Sequence, residues 1–547
     1  MRFLFSFTFF LCFSIGISQS PDKYWVQFEE KPGTNSLVFH PEQFLSPAAL
    51  ERRMKQSIHI DKYDLPLDPE FIRELQSYPE IQVLRKSKWL NSVSVSVADT
   101  SVLSEIVRLP FVRGIQPVKC MAIDPKLEFP AKSLGHTNYH HKHYGMAFRQ
   151  IEMLSGHFLH ALGYLGSGIT VAVLDAGFTG TNEIDVFKHL YQENRLLATM
   201  DFVDGDTNVF HSSQHGTAVL SCMAANLPGK MVGTAPEAQY VLIRTEDISS
   251  ESIVEEDNWV AGAEFADSIG ADILNTSLGY TQFDDSTTNH SYADMDGNTT
   301  RISIAADIAA SRGLLVITSA GNMGSQPWHY ISAPADADSS IAVAAVDSFL
   351  IRAPFSSFGP SSDGDLKPNV SAMGYKAACV NASGVVRQAN GTSFSAPIVS
   401  GMAACLWQAM PSKTNMEMKS LIESSGHQYS HPDFSLGYGV PNFYTAYLTG
   451  RMDVFSNSDE IISVFPTQFS DRLTVHYYSK SMGSWNLRML NSLGQQVFAN
   501  EIVVGAGEYV QTVFTDELVS LNAGIYYIQL IKDGVEIDAK KVMKVKL

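Results

Sequence analysis

NGTSFSAP, at residues 390–397, is the stretch that decides the fold, because it predicts a serine on a turn from a strand into a helix. The chain turns at Gly391, and the small and apolar run from Ser393, SFSAPIVSGMAACLWQAM, predicts a helix that packs against a sheet. A serine hydroxyl is a weak nucleophile unless a nearby base activates it and a third group orients that base. If Ser393 reacts, the rest of the chain must therefore supply both groups.

Two upstream segments contain candidates for the base and its partner. His215 begins HGTAVLS, and Asp175 ends the apolar run ITVAVLD. The order Asp, His, Ser along the chain is that of subtilisin, and it differs from the orders of chymotrypsin and the α/β-hydrolases. Taken singly, each segment also fits a purely structural role. Asp175 could simply follow a strand, His215 could cap a helix, and Ser393 could begin one. Short motifs match jointly far less often than singly, which favours the catalytic interpretation.

The three segments resemble those of the subtilisin-like serine proteases, the subtilase family (peptidase family S8). VAVLDAGF resembles the Asp box of that family, HGTAVLS its His box and NGTSFSAP its Ser box, and the similarity extends over residues 140–450. The resemblance implies a catalytic triad of Asp175, His215 and Ser393, which hydrolyses peptide bonds through an acyl-enzyme. The His box has Ala218 where a second His is common in the family.

Two further segments match the family outside the triad. Ser319-Ala320-Gly321-Asn322 (SAGN) resembles its oxyanion box, which implies that the Asn322 amide and the Ser393 N–H stabilise the oxyanion. As an alternative, Asn322 is a simple turn residue. NTSLG resembles the segment that pairs with extended substrate, and this implies a substrate-binding role for Ser277, Leu278 and Gly279. Residues 332–335 (SAPA) are expected to line the pocket wall.

The pattern of apolar runs predicts the fold class of this region independently. Strand candidates alternate with helix candidates along this region. The predicted strands are ITVAVLD, QYVLIRT, ADILNTS, GLLVITSA and SIAVAAV. The predicted helices are the segment that follows His215, then VEEDNWVAGAEFADSIG, then TRISIAADIAASRG. Continuous apolar strands between helices predict an α/β fold, a doubly wound, mostly parallel sheet covered on both faces. Active residues of such sheets collect at the carboxyl ends of the strands, where Asp175 falls. We assign residues 140–452 to this peptidase domain.

The N-terminal region predicts a signal peptide followed by a small α+β module. Residues 1–20 have one Arg, then an apolar run, then small residues, which is typical of secretory signal peptides; a transmembrane anchor is the alternative. Residues 21–135 contain predicted strands at KYWVQF, LNSVSVSV (half-buried) and 112–118, and predicted helices at SPAALERRMKQ and 103–109.

This module resembles the propeptide of secreted subtilases, which aids folding and inhibits the enzyme until it is cut away. The alternative is an accessory domain that stays attached. The joint with the peptidase domain is polar and contains His136, His140, His141 and His143. These histidines could bind a metal, but no carboxylate or cysteine completes a site, so we expect a solvated, cleavable linker.

Residues 460–547 predict a separate small β-sandwich. NLRMLNSLGQQVF predicts a hairpin turning at Gly494, and LNAGIYYIQL predicts a strand followed by a turn at residues 532–535. The LxxGxYxxxL pattern of residues 521–530, the terminal KVMKVKL and Val464-Phe465-Pro466 resemble the C-terminal sorting domain of the type IX secretion pathway in Bacteroidota. The usual Tyr-Pro-Asn-Pro opening is replaced by Phe465-Pro466-Thr467-Gln468. A carbohydrate- or surface-binding sandwich is the alternative.

Composition excludes several classes of function. A length of 547 residues predicts about two to four domains, and 45% apolar residues is too low for a multi-span membrane protein. The net charge of −18 argues against nucleic acid as a partner. Cys222 and Cys405 fall in apolar predicted helices, which indicates buried thiols rather than a disulfide framework. No cysteine and histidine spacing supports a zinc site.

Two acidic segments raise the possibility of calcium, which many subtilases bind. Asp294, Asp296 and Asn298 surround Gly297, and DFVDGDTN at residues 201–208 is also rich in Asp. The spacing lacks the distal bidentate Glu of an EF-hand, and a solvated acidic loop is the alternative. We therefore assign no metal ligand and expect no required cofactor.

Together these features predict a secreted serine endopeptidase that is made as a zymogen. Its expected partners are polypeptide substrates, its own propeptide as inhibitor, and a secretion machinery that recognises the C-terminal domain. The expected location is the cell surface or medium, reached through the periplasm of a Gram-negative bacterium. The alternative is a catalytically silent surface protein that binds peptides on a subtilase scaffold.

Overall fold

The N-terminal module, residues 22–118, is a four-stranded antiparallel sheet with helices packed on it. The computed structural model describes residues 22–118, 143–451, 459–465, 468–470, 472–480, 482–504 and 508–545. The strands are β1 (Asp22–Phe28), β2 (Ile81–Ser87), β3 (Ser92–Val97) and β4 (Val112–Pro117). Their order in the sheet is β2-β3-β1-β4. The helices are α1 (Pro47–Lys55), α2 (Pro69–Gln76) and α3 (Leu103–Ile106), with 3₁₀ turns at Pro32–Phe39, Pro41–Gln43 and Thr100–Val102. Ser46 caps α1, since its side chain accepts a hydrogen bond from the Ala49 N–H.

The central domain, residues 143–451, is built on a seven-stranded parallel sheet. Its strands are β5 (Thr170–Asp175), β6 (Leu196–Asp201), β9 (Gln239–Arg244), β10 (Ile273–Thr276), β11 (Leu315–Ser319), β12 (Ile341–Val346) and β13 (Val370–Met373). Their order in the sheet is β13-β12-β11-β10-β5-β9-β6. Two small hairpins accompany it: β7 (Asn226–Leu227) with β8 (Met231–Val232), and β14 (Ala377–Val380) with β15 (Val386–Ala389). The five predicted strands are confirmed. The sheet-edge strands β6 and β13 were not predicted.

Helices cover both faces of this sheet, because alternate residues of each strand enter different cores. In β5, Val171 and Val173 belong to one apolar cluster, and Ala172 and Leu174 belong to the other. The helices are α4 (Phe148–Glu152), α5 (Gly156–Ala161), α6 (Lys188–Gln192), α7 (His215–Ala224), α8 (Val254–Ile269), α9 (Arg301–Ser311), α10 (Thr392–Ala409), α11 (Asn415–Ser424) and α12 (Phe443–Gly450). Short 3₁₀ turns lie at Asp185–Phe187, Ser286–Thr288 and Tyr292–Asp294. Helices α7 and α10 pack on one face, and α8 and α9 on the other, which confirms the predicted α/β fold class.

The N-terminal module lies on the outer side of α8, and this contact corrects one prediction. The alternating sequence of β3 predicted a half-buried strand, but all six of its residues are buried. Val93, Val95 and Val97 enter the core of the module, while the Ser94 hydroxyl donates to the Asp257 carboxylate of α8 at 2.6 Å. The polar face is buried because a polar helix covers it.

The C-terminal module, residues 459–545, consists of two β-sheets around a core of its own. The three-stranded sheet is β16-β18-β21, and the five-stranded sheet is β17-β23-β22-β19-β20. The elements are β16 (Glu460–Phe465), β17 (Gln468–Phe469), β18 (Leu473–Ser479), β19 (Gly483–Asn491), β20 (Gln496–Val504), β21 (Glu508–Phe514), α13 (Asp516–Val519), β22 (Gly524–Lys532) and β23 (Val535–Lys544). Gly494 has φ 77° between β19 and β20, which confirms the predicted hairpin turn.

The C-terminal module also contacts the central domain. The Tyr444 hydroxyl of α12 makes a hydrogen bond of 2.7 Å with Nδ1 of His476 in β18. The Phe158 ring of α5 packs against both side chains. The module therefore has its own core and a buried polar and aromatic attachment to its neighbour.

Several predicted features fall outside the described residues. The predicted signal peptide, the joint with His136, His140 and His141, and Pro466-Thr467 are among them. Cys222, Cys379 and Cys405 are buried free thiols, as predicted for Cys222 and Cys405. Among the helices described, none is long and apolar enough to cross a membrane.

Burial in the central sheet predicts a large difference between two leucines on neighbouring strands. Leu242 of β9 is fully buried, and Leu197 of β6 is 47% exposed. We expect Leu242→Ala to lower the free energy of unfolding by about 2–5 kcal/mol and Leu197→Ala to change it by less than about 0.5 kcal/mol. Thermal unfolding of both variants, each carrying Ser393→Ala, measures the difference. Equal melting temperatures would contradict this packing of the sheet.

Candidate active site

Asp175 lies at the carboxyl edge of the parallel sheet, at the end of an interior strand. It ends β5, whose neighbours are β9 and β10, and its side chain is fully buried. The Oδ1 atom accepts the Ala176 N–H at 2.8 Å and a hydrogen bond from Nδ1 of His215, also at 2.8 Å. The Oδ2 atom is buried without a hydrogen-bond partner within the described chain. The sheet thus holds a carboxylate rigidly against an imidazole.

His215 is the first residue of α7, and a glycine lets this helix approach β5. A Cβ atom on Gly216 would lie 2.5 Å from the Gly177 carbonyl oxygen, so only glycine fits at this contact. The His215 side chain is 18% exposed. Burial opposes the charged imidazolium, but the charge and hydrogen bond of Asp175 outweigh it and raise the pKa of His215 above its ordinary value.

Ser393 is the second residue of α10 and follows the turn at Gly391, whose φ of 151° favours glycine. The serine is 8% exposed. Its Oγ donates to the Ser277 carbonyl at 3.2 Å, and the Ser277 hydroxyl donates to the Ser393 carbonyl at 2.9 Å. In this rotamer Oγ bonds Ser277 rather than His215. The predicted nucleophile and the predicted substrate-binding segment are therefore in direct contact.

Asn322 follows β11 and reaches the start of α10. Its Oδ1 accepts hydrogen bonds from the Thr392 N–H at 2.9 Å and the Thr392 hydroxyl at 3.0 Å. The Gly321 N–H in turn donates to the Thr392 hydroxyl at 3.2 Å. Thr392 thus holds the amide of Asn322 with its oxygen toward the start of α10, and the NH₂ group makes neither of these bonds. Sequence reasoning missed Thr392, although it lies in the Ser box itself.

The predicted substrate-binding segment runs along the end of β10. Ser277 is buried, Leu278 is half-buried and Gly279 is exposed. A Cβ on Gly279 would lie 2.2 Å from the Ser332 hydroxyl, so the glycine allows the close approach of residues 332–335. The structure therefore brings this predicted segment beside the predicted pocket wall.

A group of buried glutamates beside this edge was not predicted. Tyr280 follows Gly279 and donates a short hydrogen bond to Glu246, which also accepts from the Thr245 hydroxyl at 2.9 Å. Burial and the nearby Glu251 charge raise the pKa of Glu246, and burial with the Asp284 charge raises the pKa of Glu251 to about 7. The raised pKa values mean that these two carboxyl groups keep their protons to higher pH than exposed glutamates do.

Neither acidic segment considered for calcium has a free set of ligands. Asp201, Asp204 and His211 lie close enough to share an ion, but the Arg244 guanidinium already donates to Asp201 at 2.8 Å and to Asp204 at 2.7 Å. In the other segment the Asp296 carboxylate accepts from residues 298 and 299 within its own turn. Internal hydrogen bonds therefore occupy these carboxylates, and calcium stays an unassigned prediction.

Comparison with known proteins places this geometry in a family. The model of the subtilase family matches residues 166–439, half of the chain. The chain belongs to the subtilase family. A model of the peptidase S8 propeptide domain of Bacteroidota matches residues 23–132. This subtilase is a subtilisin-like serine endopeptidase with an N-terminal propeptide domain.

Individual relatives cover the same region. Subtilisin NAT of Bacillus subtilis subsp. natto is 30% identical over 300 residues, which span 54% of this subtilase and 70% of that protein. A subtilisin of Bacillus pumilus is 30% identical over 300 residues, and the match spans 97% of the length of that protein. A crystal structure of MycP1 with the N-terminal propeptide removed matches with a TM-score of 0.44 and 22% identity, over 55% of this chain and 96% of that chain.

The raised pKa of His215 predicts the pH dependence of peptide hydrolysis. A general base must be neutral, so kcat/KM is present above this pKa and is lost as pH falls through it. Removing the Asp175 charge with Asp175→Asn should move this acid limb to lower pH and lower the rate by about 10⁴-fold. The measurement is the rate of peptide hydrolysis between about pH 5 and 9.

Asp185→Asn is the matched control, because it makes the same change at an exposed aspartate. This variant should leave both the acid limb of the pH profile and the rate of peptide hydrolysis unchanged. An acid limb that stays in place in Asp175→Asn would show that Asp175 does not set the pKa of the essential base.

Proposed function

We propose that this protein is a secreted serine endopeptidase made as a zymogen, and that Asp175, His215 and Ser393 form its catalytic triad. The observation that carries the proposal is the 2.8 Å hydrogen bond between Asp175 and His215, made at the sheet edge that α10 and Ser393 also approach. The order of the three residues in the chain supports it. Both the carboxylate and the imidazole are buried enough for the pair to be strongly coupled.

In the proposed reaction Ser393 attacks the carbonyl carbon of a peptide bond. His215 takes the hydroxyl proton as the C–O bond forms and later gives it to the leaving amine. Asp175 holds the imidazole in the tautomer with Nδ1 protonated and stabilises the imidazolium. Water then attacks the acyl-enzyme with His215 again as base, and the carboxylic acid product leaves. In this reaction the Ser393 hydroxyl leaves the Ser277 carbonyl and donates to Nε2 of His215.

The negative charge on the tetrahedral oxygen requires fixed donors. We assign this role to the NH₂ group of Asn322 and the backbone N–H of Ser393. The two bonds from Thr392 to Asn322 Oδ1 support the assignment, because they orient the amide before substrate arrives. Such a donor typically contributes about 3–4 kcal/mol to lowering the barrier. Extended substrate would pair with the backbone of residues 277–279.

The N-terminal propeptide domain is proposed to inhibit the enzyme within the same chain. Val118, which follows β4, is fully buried in one cluster with Trp25 and Val254. Val254 begins α8, so this contact lies at the carboxyl edge of the sheet, the edge that holds Asp175. The described part of the propeptide domain thus reaches the sheet edge that holds Asp175, which supports the proposed inhibition.

We expect Ser393→Ala to reduce hydrolysis of casein by about a millionfold, because the nucleophile is lost. The substitution removes one oxygen from a buried site, so circular dichroism and the melting temperature should stay close to those of the parent. Ser383→Ala changes an exposed serine of the β14–β15 turn and serves as the matched control, with activity retained. Undiminished hydrolysis by purified Ser393→Ala would sink the assignment of the nucleophile.

The proposed location rests on the two ends of the chain. Residues 1–20 have the pattern of a signal peptide, and residues 460–547 resemble a type IX sorting domain. The match of residues 23–132 to a Bacteroidota propeptide domain supports the second proposal, since that pathway belongs to the same group. Two residues of the LxxGxYxxxL pattern, Tyr526 and Leu530, also have a structural role, because they are buried in the core of the C-terminal module.

Deleting residues 460–547 should keep the enzyme in the periplasm while activity persists in cell lysates, since sorting signals are addresses read by a receptor. Cell fractionation measures the distribution. Tyr444→Phe is the control, because it removes the hydrogen bond to His476 but keeps the module, and it should be exported like the parent. Full export of the truncated form would make the module a binding or stabilising unit instead.

A further inference from the structure

A crevice opens between the carboxyl ends of β10 and β11, beside Ser393. The backbone pairing of the two strands stops where β10 ends. Beyond that point a side chain spans the gap, since the Ser319 hydroxyl donates to the Leu278 carbonyl at 3.3 Å. Residues 277–279 thus form one side of the crevice, and residues 319–321 form the other.

Both sides of the crevice adjoin groups that the proposed reaction uses. The Ser277 carbonyl accepts the hydrogen bond from Ser393 Oγ at 3.2 Å, and Asn322 directly follows Gly321. The carbonyl carbon of the cleaved bond must lie within reach of Ser393 Oγ, with its oxygen toward Asn322. The side chain of the same residue, which we call the pre-scissile residue, then lies over the crevice. This placement rests on the proposed function.

The Ser332 hydroxyl lies against both sides of this crevice. A Cβ atom on Gly279 would lie 2.2 Å from Ser332 Oγ, and a Cβ atom on Gly321 would lie 3.0 Å from the same oxygen. Both distances are shorter than an ordinary van der Waals contact of about 3.5 Å. The space that a large pre-scissile side chain would need is therefore already occupied by Ser332.

The backbone holds Ser332 in this position from both directions along the chain. The Tyr280 N–H donates to the Ala333 carbonyl at 2.9 Å, and the Ala333 N–H donates to the Tyr280 carbonyl at 3.2 Å. On the other side of Ser332, the Ile331 N–H donates to the Phe358 carbonyl at 2.8 Å. Ser332 is only 4% exposed, so it cannot withdraw from the crevice without breaking these bonds.

A second serine closes the space beside Gly321. Ser357 is fully buried, and its Oγ would lie 2.8 Å from a Cβ on Gly321. The same oxygen accepts the Met323 N–H at 3.0 Å, which fixes its position. The crevice therefore cannot deepen on this side to receive a long side chain.

The Ser332 hydroxyl is available to bond a substrate. Within the described chain it makes no hydrogen bond, and it is not among the polar atoms that are fully enclosed without a partner. It therefore keeps contact with solvent, and a small polar side chain can replace that water as its partner. A large apolar side chain would remove the water without replacing the hydrogen bond, which is unfavourable.

We propose that Ser332 determines the substrate specificity of the enzyme at the pre-scissile residue, and that cleavage after alanine and serine is preferred over cleavage after leucine and phenylalanine. A methyl or hydroxymethyl group fits above the Ser332 hydroxyl, whereas a larger group overlaps it. A fixed wall of this kind supports discrimination of about 100-fold between side chains that differ by a few methylene-sized groups.

The test uses the matured enzyme and four peptide p-nitroanilides that differ only in the pre-scissile residue, which is alanine, serine, leucine or phenylalanine. For the parent, kcat/KM should be highest for alanine and serine, and lower by about 100-fold or more for phenylalanine. The cleavage sites in denatured casein, identified by mass spectrometry, should show the same preference.

Ser332→Gly is the decisive variant, because it removes the hydroxymethyl group from the crevice. It should raise kcat/KM for phenylalanine relative to alanine by about 10-fold or more. Ser325→Gly makes the same change at an exposed serine of the preceding loop and should keep the ratio of the parent. Ser332→Ala covers the case in which Ser332→Gly does not fold. It removes only the oxygen that lies against both glycines, and it should raise the same ratio by about threefold or more.

Equal kcat/KM values for alanine and phenylalanine in the parent would refute the role of Ser332, and so would a folded Ser332→Gly or Ser332→Ala variant that keeps the ratio of the parent. In each of these cases the continued hydrolysis would leave the proposed endopeptidase function standing. If the matured parent cuts neither casein nor any of the four peptides, the proposed function itself fails, and the specificity fails with it.

Discussion

The hydrogen bond between Asp175 and His215 depends on a parallel sheet in which an interior strand, β5, ends beside the N-terminus of α7. In such a sheet every strand ends at the same edge. The buried Asp175 therefore meets α7, while α10 brings Ser393 to the same edge from a distant part of the sequence. Gly216 allows the close approach of α7, and Gly391 allows the turn into α10. The positions of His215 and Ser393 near Asp175 thus follow from where α7 and α10 begin on the sheet.

A second constraint comes from the composition of α8. This helix contains five acidic residues and no basic one. In the full chain its outer acids Asp257, Glu264 and Asp267 are buried against the N-terminal propeptide domain, which supplies hydrogen-bond donors to each of them. Arg301 of α9 also donates to Asp257. An unpaired buried charge is costly, so a protein without this partner would have to expose these groups or protonate them.

Sequence patterns predicted the elements that have strong apolar runs. β5, β9, β10, β11 and β12 have such runs and were found; β6 and β13 lie at the sheet edges, and the runs LLATMD and VSAM are short or partly polar. The three proposed triad residues come from three local segments, whereas Thr392 gains its role only through its contact with Asn322, 70 residues away. The pairing of Arg52 with Asp267 joins residues 215 positions apart, and no local pattern encodes such a contact. The polar face of β3 looked solvated for the same reason, since its partner α8 is remote in sequence.

The most direct test of the central claim is to find which atom of the folded, matured enzyme reacts as the nucleophile. A fluorophosphonate reacts with the activated serine of such enzymes, and mass spectrometry of the digested protein locates the adduct. The account predicts a single adduct on Ser393, within the peptide that contains NGTSFSAP, and its loss in His215→Ala, where no base activates the hydroxyl. An adduct on another serine such as Ser277, or none on folded and matured protein, would contradict it.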